Sequence, residues 1–241
     1  MVRAGMAILV GAGLFAAVPA RAQDVVNVYL MDGGAFNNAL NASTIVSRTK
    51  ALLGDKAAPE TGRPTRPAPR TLPAPAKALQ FISTPGATAI PAMAAAYPAA
   101  RRDEVSAVFR QLLGKFGGIE QMFGQPRNDL PTALALYVAT SYEAVTGVEV
   151  KPDQARPLIA QMRTLLQSGT GIAGASDAEK QKLYEMFAIT GMFLATAGLE
   201  LKQKPDPVAR ARLKASGRAN LARLGLDPDR MRFGAQGLSN R

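Results

Sequence analysis

The chain has 241 residues, a net charge of +11, and no cysteine, histidine or tryptophan. Disulfides are impossible, a zinc site loses two of its three usual ligand types, and Ser-His-Asp, Cys-His and histidine general-base chemistry are excluded. The positive balance favours anionic partners without choosing among them.

Residues 1–22 run from a positive start at Arg3, through an apolar stretch from Met6 to Val18, to the small-residue end Ala20-Arg21-Ala22. That order is the pattern of a secretory signal peptide. The apolar stretch falls short of the roughly 20 residues that a bilayer-spanning helix needs. Pro19 breaks the helix ahead of the small residues and leaves extended backbone for a peptidase. Cleavage between Ala22 and Gln23 is expected, giving an exported, periplasmic or secreted product with no transmembrane segment. In that compartment an anionic envelope surface or another envelope protein is a more natural partner than nucleic acid.

The arm over 23–53 contains a Val-rich run at 25–30 and a weak amphipathic helix that closes at Gly54. Residues 54–78 then carry six prolines among Lys56, Arg63, Arg66, Arg70 and Lys77. Proline fixes φ and removes amide donors, so this stretch reads as an extended, disordered linker. Its Pro64-Thr65-Arg66-Pro67 fits P-x-x-P, but a spacer explains the composition better.

A helical domain is expected over 79–233, after a brief extended run at Leu79-Gln80-Phe81-Ile82 and a short helix opened by Pro91. Val105, Val108, Phe109, Leu112, Leu113 and Phe116 recur at three and four residues, the stripe of an amphipathic helix that Gly117-Gly118 ends or interrupts. Asn128 or Asp129 caps the next helix, which has Pro131 in its first turn and runs to Gly147. Being apolar nearly all round, it is expected at the centre of the core. A third helix follows Pro152, with Leu158, Ile159, Met162, Leu165 and Leu166 inward; Pro157 either kinks it or marks its start.

Ser176-Asp177-Ala178-Glu179 is a capping box for a fourth helix reaching about Leu201. Asp206-Pro207 begins a fifth, with an apolar stripe at Ala209, Leu213, Leu221 and Leu224. Gly225 ends it, and Asp227-Pro228 leads towards a tail over 234–241. With no convincing strand after residue 85, the fold class expected is all-α, a compact bundle of about five helices.

Three short patterns invite chemistry that their context refuses. Gly169-Thr170-Gly171-Ile172-Ala173-Gly174 fits G-x-G-x-x-G, yet no strand precedes it and the following helix has its own cap, so no nucleotide cofactor is expected. Ser47-Arg48-Thr49-Lys50 fits S-x-x-K without the S-D-N or K-T-G elements of penicillin-recognising enzymes. Asp177 and Glu179 sit where the helix dipole favours acids for stability alone. Glu143 is the one acid inside an apolar helix, where burial would raise its pKa. Tyr137, Tyr142, Tyr184, Phe187 and Phe193 lie at helical spacing among aliphatics and read as core.

Arg210, Lys214 and Arg218 recur every four residues on the fifth helix and form a candidate anion-binding face. No catalytic, metal or cofactor site is expected. The leading functional reading is a non-enzymatic interaction or structural module of the cell envelope; the alternative is a carboxylate-based hydrolase of a wall polymer, which would need two acids flanking one cleft.

Five segments in order carry a family resemblance: Asn128-Asp129-Leu130-Pro131, Tyr142-Glu143-Ala144-Val145-Thr146-Gly147, Gln161-Met162-Arg163, Ala178-Glu179-Lys180-Gln181 and Gly225-Leu226-Asp227-Pro228. On these, residues 79–233 resemble the domain of unknown function 6683, a family of exported bacterial proteins. The resemblance implies export and a helical domain, and it supplies no activity or catalytic residue.

Overall fold

The computed structural model describes residues 76–168 and 171–240. The expected leader with its Ala22–Gln23 cleavage point, the arm, the S-x-x-K segment and the linker up to residue 75 lie outside the described residues. The packed part opens with a 3-10 turn over Ala76–Leu79, where an end of linker and the start of an extended run were expected. Leu79 is fully buried, and burying it fixes the chain earlier than the prolines suggest.

Six α-helices follow among the described residues: α1 (Ile90–Ala94), α2 (Arg102–Met122), α3 (Leu130–Thr146), α4 (Pro152–Gln167), α5 (Asp177–Gln203) and α6 (Pro207–Arg223). The fold is all-α with compact helical packing. The apolar α3 sits in the middle, packed against α4, α5 and α6, while α2 covers the far side of α5. Tyr137, Tyr142, Tyr184, Phe187 and Phe193 are all buried, as their spacing requires.

Helix α2 does not stop at Gly117-Gly118. Ile119 continues the buried stripe of Val105, Phe109, Leu112 and Phe116, and its packing outweighs the modest helix-breaking tendency of two glycines. The true stop is a Schellman motif. Gly124 takes φ +66°, and the Gly124 and Gln125 amides donate to the Gln121 and Glu120 carbonyls at 3.0 and 2.8 Å. Pro157 likewise lies inside α4 instead of starting it. The carbonyl it deprives of a partner belongs to Asp153, which is exposed and open to water.

Ser176 caps α5 in the predicted reciprocal box, its Oγ accepting from the Glu179 amide while Glu179 accepts from the Ser176 amide at 2.9 Å. The Ser176 hydroxyl also donates to the Glu179 carboxylate at 2.7 Å, and this bond first, then the one from the Ser176 amide, holds the exposed carboxyl below its ordinary pKa. Asp206 caps α6 by accepting from the Val208 and Ala209 amides at 2.8 and 3.0 Å.

The expected tail is a β-hairpin, which corrects the reading of no strand after residue 85. β1 (Met231–Gly234) pairs antiparallel with β2 (Gly237–Asn240), Met231 opposite Asn240. Two four-residue strands show no useful alternation, and their anchor is distant in sequence. The Gln161 side chain of α4 takes the Leu238 amide and donates to the Leu238 carbonyl, both at 2.9 Å. Its amide thus stands in for a third strand. Met231 and Leu238 are buried, and Phe233 packs edge-on to Tyr142 with centroids 4.8 Å apart.

Two glycines let neighbouring helices approach α3. A Cβ built on Gly191 of α5 would lie 2.9 Å from Leu136 Cγ, and one on Gly217 of α6 would lie 2.5 Å from the Ser141 carbonyl oxygen. A backbone carbonyl cannot rotate away as a side chain can. Gly217→Ala is therefore expected to destabilise the domain by about 1–3 kcal/mol, despite the better helix propensity of alanine. Urea unfolding measures this as a lower midpoint at unchanged slope; an unchanged or higher midpoint would mean that α3 and α6 are free to separate.

Candidate functional site

The polar interior gathers where the end of α2, the turn over 123–129, α4 and α5 meet. Asp129 is fully buried and forms a two-pronged pair with Arg163 of α4, Nη1 to Oδ1 and Nη2 to Oδ2, each 3.0 Å. The same carboxylate caps α3, accepting from the Thr132 amide at 3.1 Å and from the Thr132 hydroxyl. Of the two candidate caps Asn128 and Asp129, the structure selects Asp129. Glu120 lies beside it, 1% exposed, with Oε1 accepting from the Asp129 amide and the Tyr184 hydroxyl at 3.0 Å. Its Oε2 is buried with no hydrogen-bond partner. Burial, the dominant cause, raises the Glu120 pKa above its ordinary value, and the neighbouring Asp129 charge adds to this. Burial also raises the Tyr184 pKa, with the Glu120 charge second.

One face of α5 holds the extended strap over 80–89. Asp177, Gln181 and Glu185 stand four residues apart and accept, in turn, from the Ile82 amide at 3.1 Å, the Thr84 amide at 2.8 Å and the Ala89 amide at 2.7 Å. Glu185 also accepts from the Thr88 hydroxyl and the Gln181 amide group. A strap without regular ladders has its backbone donors satisfied this way. Asp177 therefore does more than complement the helix dipole.

Glu143 is half-buried on α3 and accepts from the Val150 amide at 2.7 Å, closing the loop after Gly147. Its carboxyl is pushed up to about 7 by burial first and by the Glu149 charge, against the Val150 amide and Lys202, which lower it. Gly171, with φ +76°, leads a 3-10 turn over Ile172–Gly174 whose Ile172 is buried. This glycine-rich loop is an inter-helix turn ahead of the Ser176 cap.

Arg210, Lys214 and Arg218 all lie on the exposed side of α6. Spacing alone did not reveal how two of them are held. Arg210 Nη2 donates to the Leu201 carbonyl at the end of α5, at 2.8 Å. Arg218 makes two bonds to Asp229, at 2.7 and 3.1 Å.

The described residues also form a shallow cleft of about 300 Å³ between α2, the strap and the turn before α3. Its lining contains a single acid, Glu185, whereas the wall-polymer hydrolase reading asks for two. Among the described residues, no helix is long and apolar enough to cross a membrane.

The fasteners coincide with the segments that carry the family resemblance. Asn128-Asp129 and Gln161-Met162-Arg163 meet in the Asp129–Arg163 pair, and Gln181 ties the strap. No curated protein and no solved structure matches the chain. The model of the family described as "Family of unknown function (DUF6683)" matches residues 4–241, well beyond the 79–233 of the sequence resemblance, and the chain belongs to that family.

Proposed function

We propose that the chain is exported, with cleavage between Ala22 and Gln23, and works in the cell envelope as a non-enzymatic interaction module that meets an anionic surface through α6. The observation that carries this reading is the make-up of α6, which bears Arg210, Arg212, Lys214, Arg218 and Arg223 and no acid. Its outward side is a low ridge of Val208, Ala211, Ala215, Ala219 and Ala222, all exposed. At 100° per residue, Lys214 and Arg218 flank the ridge on one side, Arg212 and Arg223 on the other.

A second copy of the same face would oppose like charges, whereas an anionic surface complements both rows. The bonds from Arg210 to Leu201 and from Arg218 to Asp229 set those side chains in advance, although Asp229 offsets part of one charge. Two of the buried acids support a non-enzymatic role, since Asp129 and Glu185 are saturated by donors that hold the fold together, while Glu120 keeps one oxygen without a partner.

N-terminal sequencing of the protein from an envelope fraction should begin at Gln23; retention of Met1 would refute export with cleavage. Each charge near an anionic lipid surface contributes about 1 kcal/mol and is screened by salt. The exported chain should therefore co-sediment with anionic vesicles at low salt, and weakly with neutral vesicles or at high salt. Arg210→Ala/Lys214→Ala/Arg218→Ala should weaken attachment at least about tenfold. Because that variant also loses two structural bonds, Ala211→Glu/Ala215→Glu, which leaves both bonds in place, should do the same. Equal attachment by all three proteins would reject α6 as the surface.

A further inference from the structure

The shallow cleft brings together two arginines from separate elements, Arg110 on α2 and Arg127 on the turn before α3. Both are exposed, and neither has a hydrogen bond or ion pair with a described residue. The Arg127 charge already reaches the buried Glu120, and an anion bound between the two guanidinium groups would complement both.

Arg127 lies over Gly117, where a Cβ would stand 3.1 Å from its Nη1, a contact that the flexible guanidinium would relieve by a small shift. The turn that presents it ends at Asn128, the one non-glycine residue with positive φ among the described residues (+61°). Asn128 Nδ2 donates to the Phe81 carbonyl at 3.1 Å and pins the turn to the strap. Asparagine takes this left-handed conformation more readily than other non-glycine residues, so the turn keeps its shape at little cost.

The facing wall is apolar. Phe81 and Tyr184 meet edge to face at 5.1 Å beside Leu113, and the helix at Gly114 is open, a Cβ there meeting nothing within 4 Å. Glu185, the only acid in the lining, is already saturated by the strap and Gln181. Two guanidinium groups against one carboxylate leave a single net positive charge, which suits a monoanion. A volume of about 300 Å³ is at the small end of ligand sites.

We infer that this cleft binds a small organic carboxylate, its acid group bridging Arg110 and Arg127 and its apolar part lying against Phe81, Leu113 and Tyr184. The site is separate from α6 and does not rest on the anionic-surface reading.

Isothermal titration of the full chain with benzoate, hexanoate and inorganic phosphate tests it. At least one of the two carboxylates should bind saturably in the millimolar range or tighter, and more tightly than phosphate. Arg110→Ala and Arg127→Ala should each weaken that binding by about tenfold or more, the worth of one charge-assisted hydrogen bond. Gly114→Leu fills the cleft from a helical position with open space and favours the helix; it should abolish binding while circular dichroism shows an unchanged fold. Arg212→Ala, on α6, should leave it unaltered. Absence of saturable carboxylate binding, tighter binding of phosphate, or affinity indifferent to Gly114→Leu or to either arginine would overturn the assignment.

Discussion

Asp129→Ala is expected to cost about 3–5 kcal/mol of folding stability, the range found when one partner of a buried ion pair is removed. Asp129 is 0% exposed, and the Arg163 side chain that grips it is 20% exposed. Alanine would leave that guanidinium with the Gln125 Oε1, at 2.8 Å, and the Thr132 amide without its cap. The cap alone is worth about 1 kcal/mol. Such a loss is a substantial share of a typical domain's margin of about 5–15 kcal/mol. A double-mutant cycle with Arg163→Met separates the terms: if the pair is the cause, the double variant should recover a large part of the loss, since an apolar side chain at 163 leaves no stranded charge. Chemical unfolding of the four proteins measures it. A cost below about 1 kcal/mol for Asp129→Ala would show that α4 is not fastened to the start of α3 by this pair.

That pair also marks where the sequence stops being readable. The helices are legible because apolar residues at three- and four-residue spacing have one physical solution, and caps such as Ser176 with Glu179 act within a single turn. Asp129 is legible as a cap for the same reason. Arg163, 34 residues on, has no local mark, because a single cation on an amphipathic helix usually faces water. The hairpin is obscure for a related reason. Its strands are short, and the group that organises them is the side chain of Gln161 on α4, which resembles any polar helix residue. Gly117-Gly118 misleads in the other direction, since local propensity argues for a stop while Ile119 and the Schellman turn at Gly124 carry the helix onward. At the surface, the spacing of Arg210, Lys214 and Arg218 gives their common side but cannot give Leu201 or Asp229 as partners. Arg110 and Arg127 escape notice because each is an ordinary surface arginine until the strap folds over α5 and places them around one cleft.

Glu143 is the exception, an acid whose unusual setting shows in the sequence because it is the one charged residue in a mostly apolar helix. Its pKa rises from an ordinary 4.5 to about 7 in the folded protein. The folded state thus holds a proton that the unfolded state has released, and stability is greatest below the unfolded value. As pH climbs from about 4.5 to about 7 that contribution is lost, because the carboxyl of the unfolded chain ionises freely while the folded one must ionise among apolar neighbours. At 1.36 kcal/mol per unit, the loss attributable to Glu143 reaches about 3 kcal/mol by pH 8. Glu120, shifted in the same direction, adds slope of the same sign, so the test must compare proteins instead of reading one curve. Glu143→Gln keeps an oxygen to accept the Val150 amide and removes the titration. It should match the parent near pH 4 and exceed its stability by up to about 3 kcal/mol at pH 8, with the difference opening across the window between. Glu143→Leu removes the acceptor as well, stranding the Val150 amide, and should lose about 1–3 kcal/mol relative to the glutamine variant at every pH. Thermal or urea unfolding from pH 4 to 8 distinguishes these outcomes. A constant difference between parent and Glu143→Gln across that range would mean that Glu143 ionises at its ordinary pKa, with water reaching the carboxyl at the end of α3.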